Sequence, residues 1–182
     1  MRLTILSLFY YIYLAFGDFC GENRVPSAVD VDYSGQISLF CSRPSCFKKH
    51  YSNCEERAFS SSCPSNTTWV GGITKYHPRR RNGFKLNCCE YEQLPIVADL
   101  VTEELIIKPG EYFEGEEKVD DLGRYLLSFE LISDISKHFH VNETIFYKLK
   151  VLRFYCDRMV EDKKPKNKWP YFEDLDNEDK SE

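Results

Sequence analysis

His138-Phe139-His140 sets two imidazoles one residue apart, so an extended backbone would carry both on one face, where zinc could bind. A structural zinc takes four ligands, and no carboxylate or free cysteine stands at matching spacing, so the pair reads as exposed histidines and no metal is expected. His50 and His77 have no nucleophile to activate: Ser60-Ser61-Ser62 is a loop tract, and no Gly-x-Ser-x-Gly elbow occurs. The acid pairs Glu103-Glu104, Glu116-Glu117 and Asp120-Asp121 are the right residue types for glycoside cleavage. Neighbouring side chains on a strand point to opposite faces, however, so these pairs read as solvated turns. No catalytic residue and no cofactor are expected, and the reading is of a protein that is not an enzyme.

Cysteine offers stronger chemistry. Cys20, Cys41, Cys46, Cys54, Cys63, Cys88, Cys89 and Cys156 form an even set that follows an apolar leader, Leu3 to Phe16, preceded by Arg2 and ending at Ala15-Phe16-Gly17. That pattern predicts a signal peptide over residues 1–17 with cleavage after Gly17, and the 14-residue apolar run is shorter than a bilayer-spanning helix needs. The thiols then meet an oxidising compartment, and four disulfides follow. Eight thiols permit about 105 connectivities. Cys88 and Cys89 are not expected to bridge each other, because a vicinal bond strains the peptide between them, so they tie one segment to two others.

Three further features could bind. Lys75, Arg79, Arg80, Arg81 and Lys85 concentrate positive charge in a chain of net charge -5, and guanidinium forks suit sulfate, so sulfated glycan or acidic matrix is one reading and a solvated basic loop the other. A processing-protease site after Arg81 is weakened by Pro78 at the fourth position before the cut. Asn66-Thr67-Thr68 and Asn142-Glu143-Thr144 are glycosylation sequons, at Asn66 and Asn142. Trp69, before Val70-Gly71-Gly72, reads either as an exposed aromatic anchor or as a buried ring beside a tight turn. The acidic balance argues against nucleic acid as a partner.

These residues need a scaffold. Removing 17 residues from 182 leaves 165, and 42% hydrophobic with 15% aromatic content is a folding composition. Seven cysteines lie between Cys20 and Cys89 among Ser, Pro, Gly and Asn, with turns at Arg43-Pro44-Ser45 and Cys63-Pro64-Ser65-Asn66 and one short strand near Gln36 to Cys41. Later, Tyr125, Leu127, Phe129 and Leu131 alternate with Ser128 and Glu130, and Ile145, Tyr147, Leu149 and Val151 alternate with Lys148 and Lys150, each the period of a strand with one buried face. Lys108-Pro109-Gly110-Glu111 reads as a turn joining two strands. The expected fold is mainly β or α+β: a small disulfide-rich secreted domain over 18–156, irregular in its cysteine-rich first half and antiparallel in its second. A bridge from Cys156 back to the first half would unite the two. Residues 157–182, basic over Lys163 to Lys168 and acidic from Glu173 to Glu182, are expected to form a disordered tail. No later stretch is apolar enough to span a membrane, so the processed chain is not expected to be an integral membrane protein.

Cys20-Gly21-Glu22-Asn23-Arg24-Val25-Pro26 and Cys41-Ser42-Arg43-Pro44-Ser45-Cys46-Phe47 resemble the opening of the Wart domain of nematode Warthog proteins, a hedgehog-related family. Trp69-Val70-Gly71-Gly72-Ile73, Cys88-Cys89-Glu90-Tyr91-Glu92, Gly123 to Ile135 and Tyr147 to Cys156 resemble its later blocks in the same order. The resemblance implies a secreted developmental signal acting by binding at epithelial surfaces, with a cell-surface receptor, Patched-related among the candidates, as partner. The alternative is a structural component of apical extracellular matrix or cuticle. In the family this module is often followed by an autoprocessing Hog (Hint) domain, which is not expected here. Cys46-Phe47 and Thr74-Lys75-Tyr76-His77 imitate its nucleophile and assisting motif, but they stand too close together, and a bridged sulfur cannot form a thioester.

Overall fold

The computed structural model describes residues 18–75, 84–141 and 144–159, with the side chain of Lys75 left out. The leader 1–17, Tyr76 and His77, Arg79, Arg80 and Arg81, Asn142 and the tail from residue 160 lie outside the described residues. Eleven strands occur among the described residues: β1 (Asp18–Phe19), β2 (Val25–Val31), β3 (Ile37–Ser42), β4 (Asn53–Cys54), β5 (Thr68–Lys75), β6 (Phe84–Glu90), β7 (Ala98–Ile107), β8 (Tyr112–Glu114), β9 (Glu117–Val119), β10 (Leu126–Phe139) and β11 (Ile145–Tyr155). One single-turn helix, α1 (Leu94–Val97), precedes β7. The strands form three antiparallel sheets, β1-β5-β6-β4, β3-β2-β8 and β7-β11-β10-β9. The mainly β expectation holds. The cysteine-rich half is irregular between Arg43 and Thr67, yet it also contributes β2, β3, β5 and β6, more regular structure than its turn-rich composition suggests.

Local chemistry explains the turns. Between β2 and β3 the Asp32 carboxylate accepts from the Gln36 amide (2.9 Å) and the Ser34 hydroxyl (2.6 Å), and Gly35 takes a φ of 82°, a left-handed conformation that costs glycine nothing. The turn at Lys108–Glu111 is present too, but it does not make a hairpin. β7 pairs with β11 and β8 pairs with β2, so this turn carries the chain from one sheet to another. In β5 the register slips between Val70 and Gly72, and a Cβ on Gly71 would overlap the Cys89 sulfur. Glycine there lets β5 lie flush on a bridge.

Two apolar clusters fill the space between the sheets. One gathers Val29, Val31, Leu39, Val70, Ile73, Leu86, Ile132, Ile135, Leu149 and Val151; the other is aromatic, built on Phe47, Trp69, Tyr91, Phe129 and Phe154. β10 packs on both β2 and β5 and contributes to both clusters. This corrects the one-sided strand expected over Tyr125 to Leu131. Tyr125 and Leu127 are exposed, whereas Ser128, Phe129, Glu130, Leu131 and Ile132 are all buried. A strand covered on both faces shows no period of two. β11 matches its expectation, with Tyr147, Leu149 and Val151 buried and Lys148 and Lys150 only partly covered.

Tyr147 pins this hairpin to the β2–β3 turn of the β3-β2-β8 sheet, its hydroxyl donating to the Gly35 carbonyl at 2.9 Å. Burial, with the Asp32 charge second, pushes its phenol up to about 12 from the ordinary 10.0. The folded state therefore keeps this proton after the unfolded chain has lost it. The contribution is full below pH 10.0 and is lost as pH rises through about 12. Tyr147→Phe is expected to cost about 0.5–1.5 kcal/mol at neutral pH and to flatten the alkaline decline in stability. Denaturant titrations of both proteins at neutral and alkaline pH check this; parallel declines would refute it.

Candidate functional site: a bridged scaffold and a charged groove

All eight cysteines are paired, as Cys20–Cys41, Cys46–Cys156, Cys54–Cys89 and Cys63–Cys88. Cys88 and Cys89 are adjacent on β6, so their side chains leave opposite faces. Cys88 joins the aliphatic cluster and Cys89 the aromatic one, and each bridges to a different segment, Cys89 to strand β4 and Cys88 to the loop before β5. Cys156 reaches back to Cys46 across 110 residues and joins the two halves, as its place at the end of β11 predicts. Cys46 is thus bound in a bridge, and the motif that resembles an autoprocessing nucleophile holds no free thiol.

The proposed surface anchor is corrected. Trp69 is fully buried, with Phe47 at 5.7 Å and Tyr91 at 5.8 Å between ring centroids. It stands opposite Cys89 in the β5–β6 register, which turns it inward with that sulfur. Its indole N–H has no hydrogen-bond partner among the described residues. Asn66 is exposed in the turn before β5, while Thr68 of the same sequon is held, its hydroxyl donating to the Cys63 carbonyl at 3.2 Å and the Ser65 carbonyl at 3.1 Å. Asn142 and the arginines at 79, 80 and 81 fall outside the described residues.

The histidines and acid pairs acquire structural partners. His138 stacks on Phe146 at 5.3 Å and hydrogen-bonds Ser136 at 2.9 Å, and His140 packs on the same ring at 4.4 Å. No group of three metal-ligating side chains converges among the described residues. Glu116 bonds Arg153 at 2.9 Å, and Arg153 also holds the buried Glu130 at 2.6 Å. The Glu130 hydrogen bond, outweighing desolvation, raises the Arg153 pKa further. Asp120 accepts from the Arg124 and Tyr125 amides and so closes the turn before β10.

Glu103 and Glu104 do not diverge as adjacent strand residues should. The β7–β11 register advances three residues, Leu105 to Thr102, while β11 advances two, Leu149 to Val151, so both glutamates oppose Lys150. On the other side of β11 a second slip, between Ile132 and Asp134 of β10, brings Asp134 to the same lysine. Two bulges at one level thus bring three acids and two lysines to one groove. Lys148 bonds Glu104 at 2.8 Å, and Lys150 lies 3.8 Å from Glu103. The Lys148 hydrogen bond holds the Glu104 carboxyl below its usual range. Asp134 accepts from the Cys63 amide at 2.7 Å and so anchors the Cys63–Cys88 loop. With Pro64, Ser136 and His138 these side chains line a groove of about 370 Å³. Sequence reading missed it, although Lys148 and Lys150 as an outward-facing pair were its visible half; the register slips that bring the acids alongside leave no local mark.

Past Cys156 the chain stays against the fold: Arg158 grips Asp99 with two bonds of 2.9 Å and lies 4.0 Å above the Tyr155 ring. Among the described residues no helix is long and apolar enough to cross a membrane.

Residues 17–157 match the model of the Warthog N-terminal signalling domain. Warthog protein 5 of Caenorhabditis elegans is 38% identical over 160 residues, covering 86% of this chain and 88% of that protein. Warthog protein 3 of the same organism is 38% identical over 175 residues, 93% of each. Warthog protein 6 is 25% identical over 177 residues, 85% of this chain but 29% of that longer protein. No solved structure matches the chain significantly. The family match over most of the chain, and the two relatives that align nearly end to end, establish that this protein belongs to the Warthog family, with its four-bridge β fold lying in the family's N-terminal signalling domain.

Proposed function

We propose that the protein is secreted and acts outside the cell as a hedgehog-related developmental signal, by binding a cell-surface receptor at epithelia and not by catalysis. The observation that carries this reading is the fully paired cysteine framework in a domain of the Warthog signalling family. Bridged thiols persist in an oxidising compartment, and a crosslinked scaffold keeps exposed side chains in place for recognition at small entropic cost. No chemistry is assigned to the charged groove, whose side chains are engaged with one another.

Epitope-tagged protein expressed in epithelial cells should enter the medium, lose compact mobility on reduction, and bind naive cells saturably. Retention in detergent-insoluble extracellular material, with effects confined to the producing cell, would favour a matrix or cuticle component and overturn the diffusible signal.

A further inference from the structure

The sheet β3-β2-β8 turns Val29, Val31, Leu39 and Phe113 toward the core. Its other face follows from the register. Phe40 stands opposite Ala28, and Ala28 opposite Glu114; one step along, Ser38 stands opposite Asp30, and Asp30 opposite Tyr112. Residues two apart share a face, so these side chains form a two-by-three grid with Phe40 and Tyr112 at opposite corners, Glu114 on the same strand as Tyr112 and Asp30 on the strand beside it.

An open face of an antiparallel sheet ordinarily carries polar groups. Here Phe40 is 50% exposed and Tyr112 55% exposed, and their rings meet edge to face at 6.3 Å. Ala28 is only 2% exposed although it lies on the outer face, so larger neighbours shelter this small residue. The paired rings and their neighbours thus cover Ala28 and present a half-exposed aromatic patch.

The charges on this face are of one sign. Asp30 and Glu114 form no ion pair with any described cation. Both lie close enough to act on Tyr112: burial comes first, then the Glu114 charge and its hydrogen bond, then Asp30, and together they raise the phenol above its usual range. Two π faces and two carboxylates around a small residue attract a cation and repel an anion.

We propose that this outer face of β3-β2-β8 docks a cationic segment of a protein partner, with an arginine or lysine side chain laid over the paired rings of Phe40 and Tyr112 and its charge shared by Asp30 and Glu114. The inference deepens the binding function proposed above and rests on it for its biological setting.

The test uses the full secreted chain and a fluorescein-labelled peptide of alternating arginine and glycine, with a citrulline peptide as the neutral isostere. Fluorescence anisotropy at low salt should give binding that weakens as salt is added. Asp30→Asn with Glu114→Gln, and separately Phe40→Ser with Tyr112→Thr, should each weaken it by about ten-fold or more, a loss within the range of cation–π and charge-assisted contacts. The first pair is isosteric and keeps the test valid should the second fail to fold. Equal binding of the citrulline peptide, wild-type affinity in the carboxylate pair, or loss caused instead by Glu103→Gln with Glu104→Gln would overturn the assignment. On cells the two ideas separate: saturable binding that survives all four substitutions sinks this surface and leaves the extracellular signal standing. Tight binding of the arginine peptide without any cell-surface binding does the reverse.

Discussion

Replacing Cys46 and Cys156 together by serine is expected to lower the unfolding free energy by about 4 kcal/mol. The bridge closes a loop of 110 residues, of which the nested Cys54–Cys89 bond already short-circuits 35. Loop-closure entropy grows only logarithmically, so the remaining length still constrains the unfolded chain strongly. The Cys20–Cys41 bridge, spanning 21 residues, is expected to contribute about 3 kcal/mol by the same reasoning. Against a total of roughly 5–15 kcal/mol for a domain, the loss is large. It is also topological: Cys156 follows β11, which belongs to the β7-β11-β10-β9 sheet, and Cys46 lies in the loop after β3. Without the bond the two halves are held together by packing and hydrogen bonds. Guanidinium unfolding reads this as a midpoint lower by about 1 M, with a steeper slope because the denatured chain without the crosslink is less compact. Both partners are replaced so that no lone thiol can enter a wrong bridge. A shift no larger than that of the Cys20–Cys41 pair would show that loop length does not govern the effect.

Trp69→Ala is expected to cost about 3–5 kcal/mol, as for other large aromatics removed from a packed core. Its ring lies among Phe47, Tyr91 and the Cys54–Cys89 sulfurs, and little of the site can collapse around a cavity bounded by a disulfide. Trp69→Phe, which leaves a smaller cavity, is expected to cost about 1–2 kcal/mol. It keeps aromatic contact and removes an indole N–H that is buried without a partner. The pair of variants separates the two readings of this residue. A core tryptophan loses stability in the order alanine far worse than phenylalanine, by thermal or denaturant melting. A surface anchor would leave both melting curves unchanged and lose partner binding in each.

Much of the architecture is legible along the chain. The even count of cysteines and the strain of a vicinal bond predict a fully bridged framework with Cys88 and Cys89 serving different partners, and that is what forms. β11 is legible because one of its faces is buried and the other bears Lys148 and Lys150. β10 is misread because Ser128, Glu130 and Ser133 are buried among apolar neighbours, so polarity no longer reports which way a side chain points. The 108–111 turn is recognised from Pro109 and Gly110, but not that its flanking strands enter different sheets. Trp69 alone admits either a surface or a core position, and only its pairing with Cys89 turns it inward.

Composition, thiol number, turn residues and short-range alternation are properties of single residues and their near neighbours, and they carry the β class, the oxidised state and the separation of the two adjacent cysteines. Register is different. One inserted residue in a strand reverses the facing of everything beyond it, and whether an insertion is accommodated depends on a partner strand far away in the chain. The gathering of Glu103, Glu104 and Asp134 with Lys148 and Lys150 in one groove, and the diagonal of Phe40 and Tyr112 across β2, exist only once those distant strands have met.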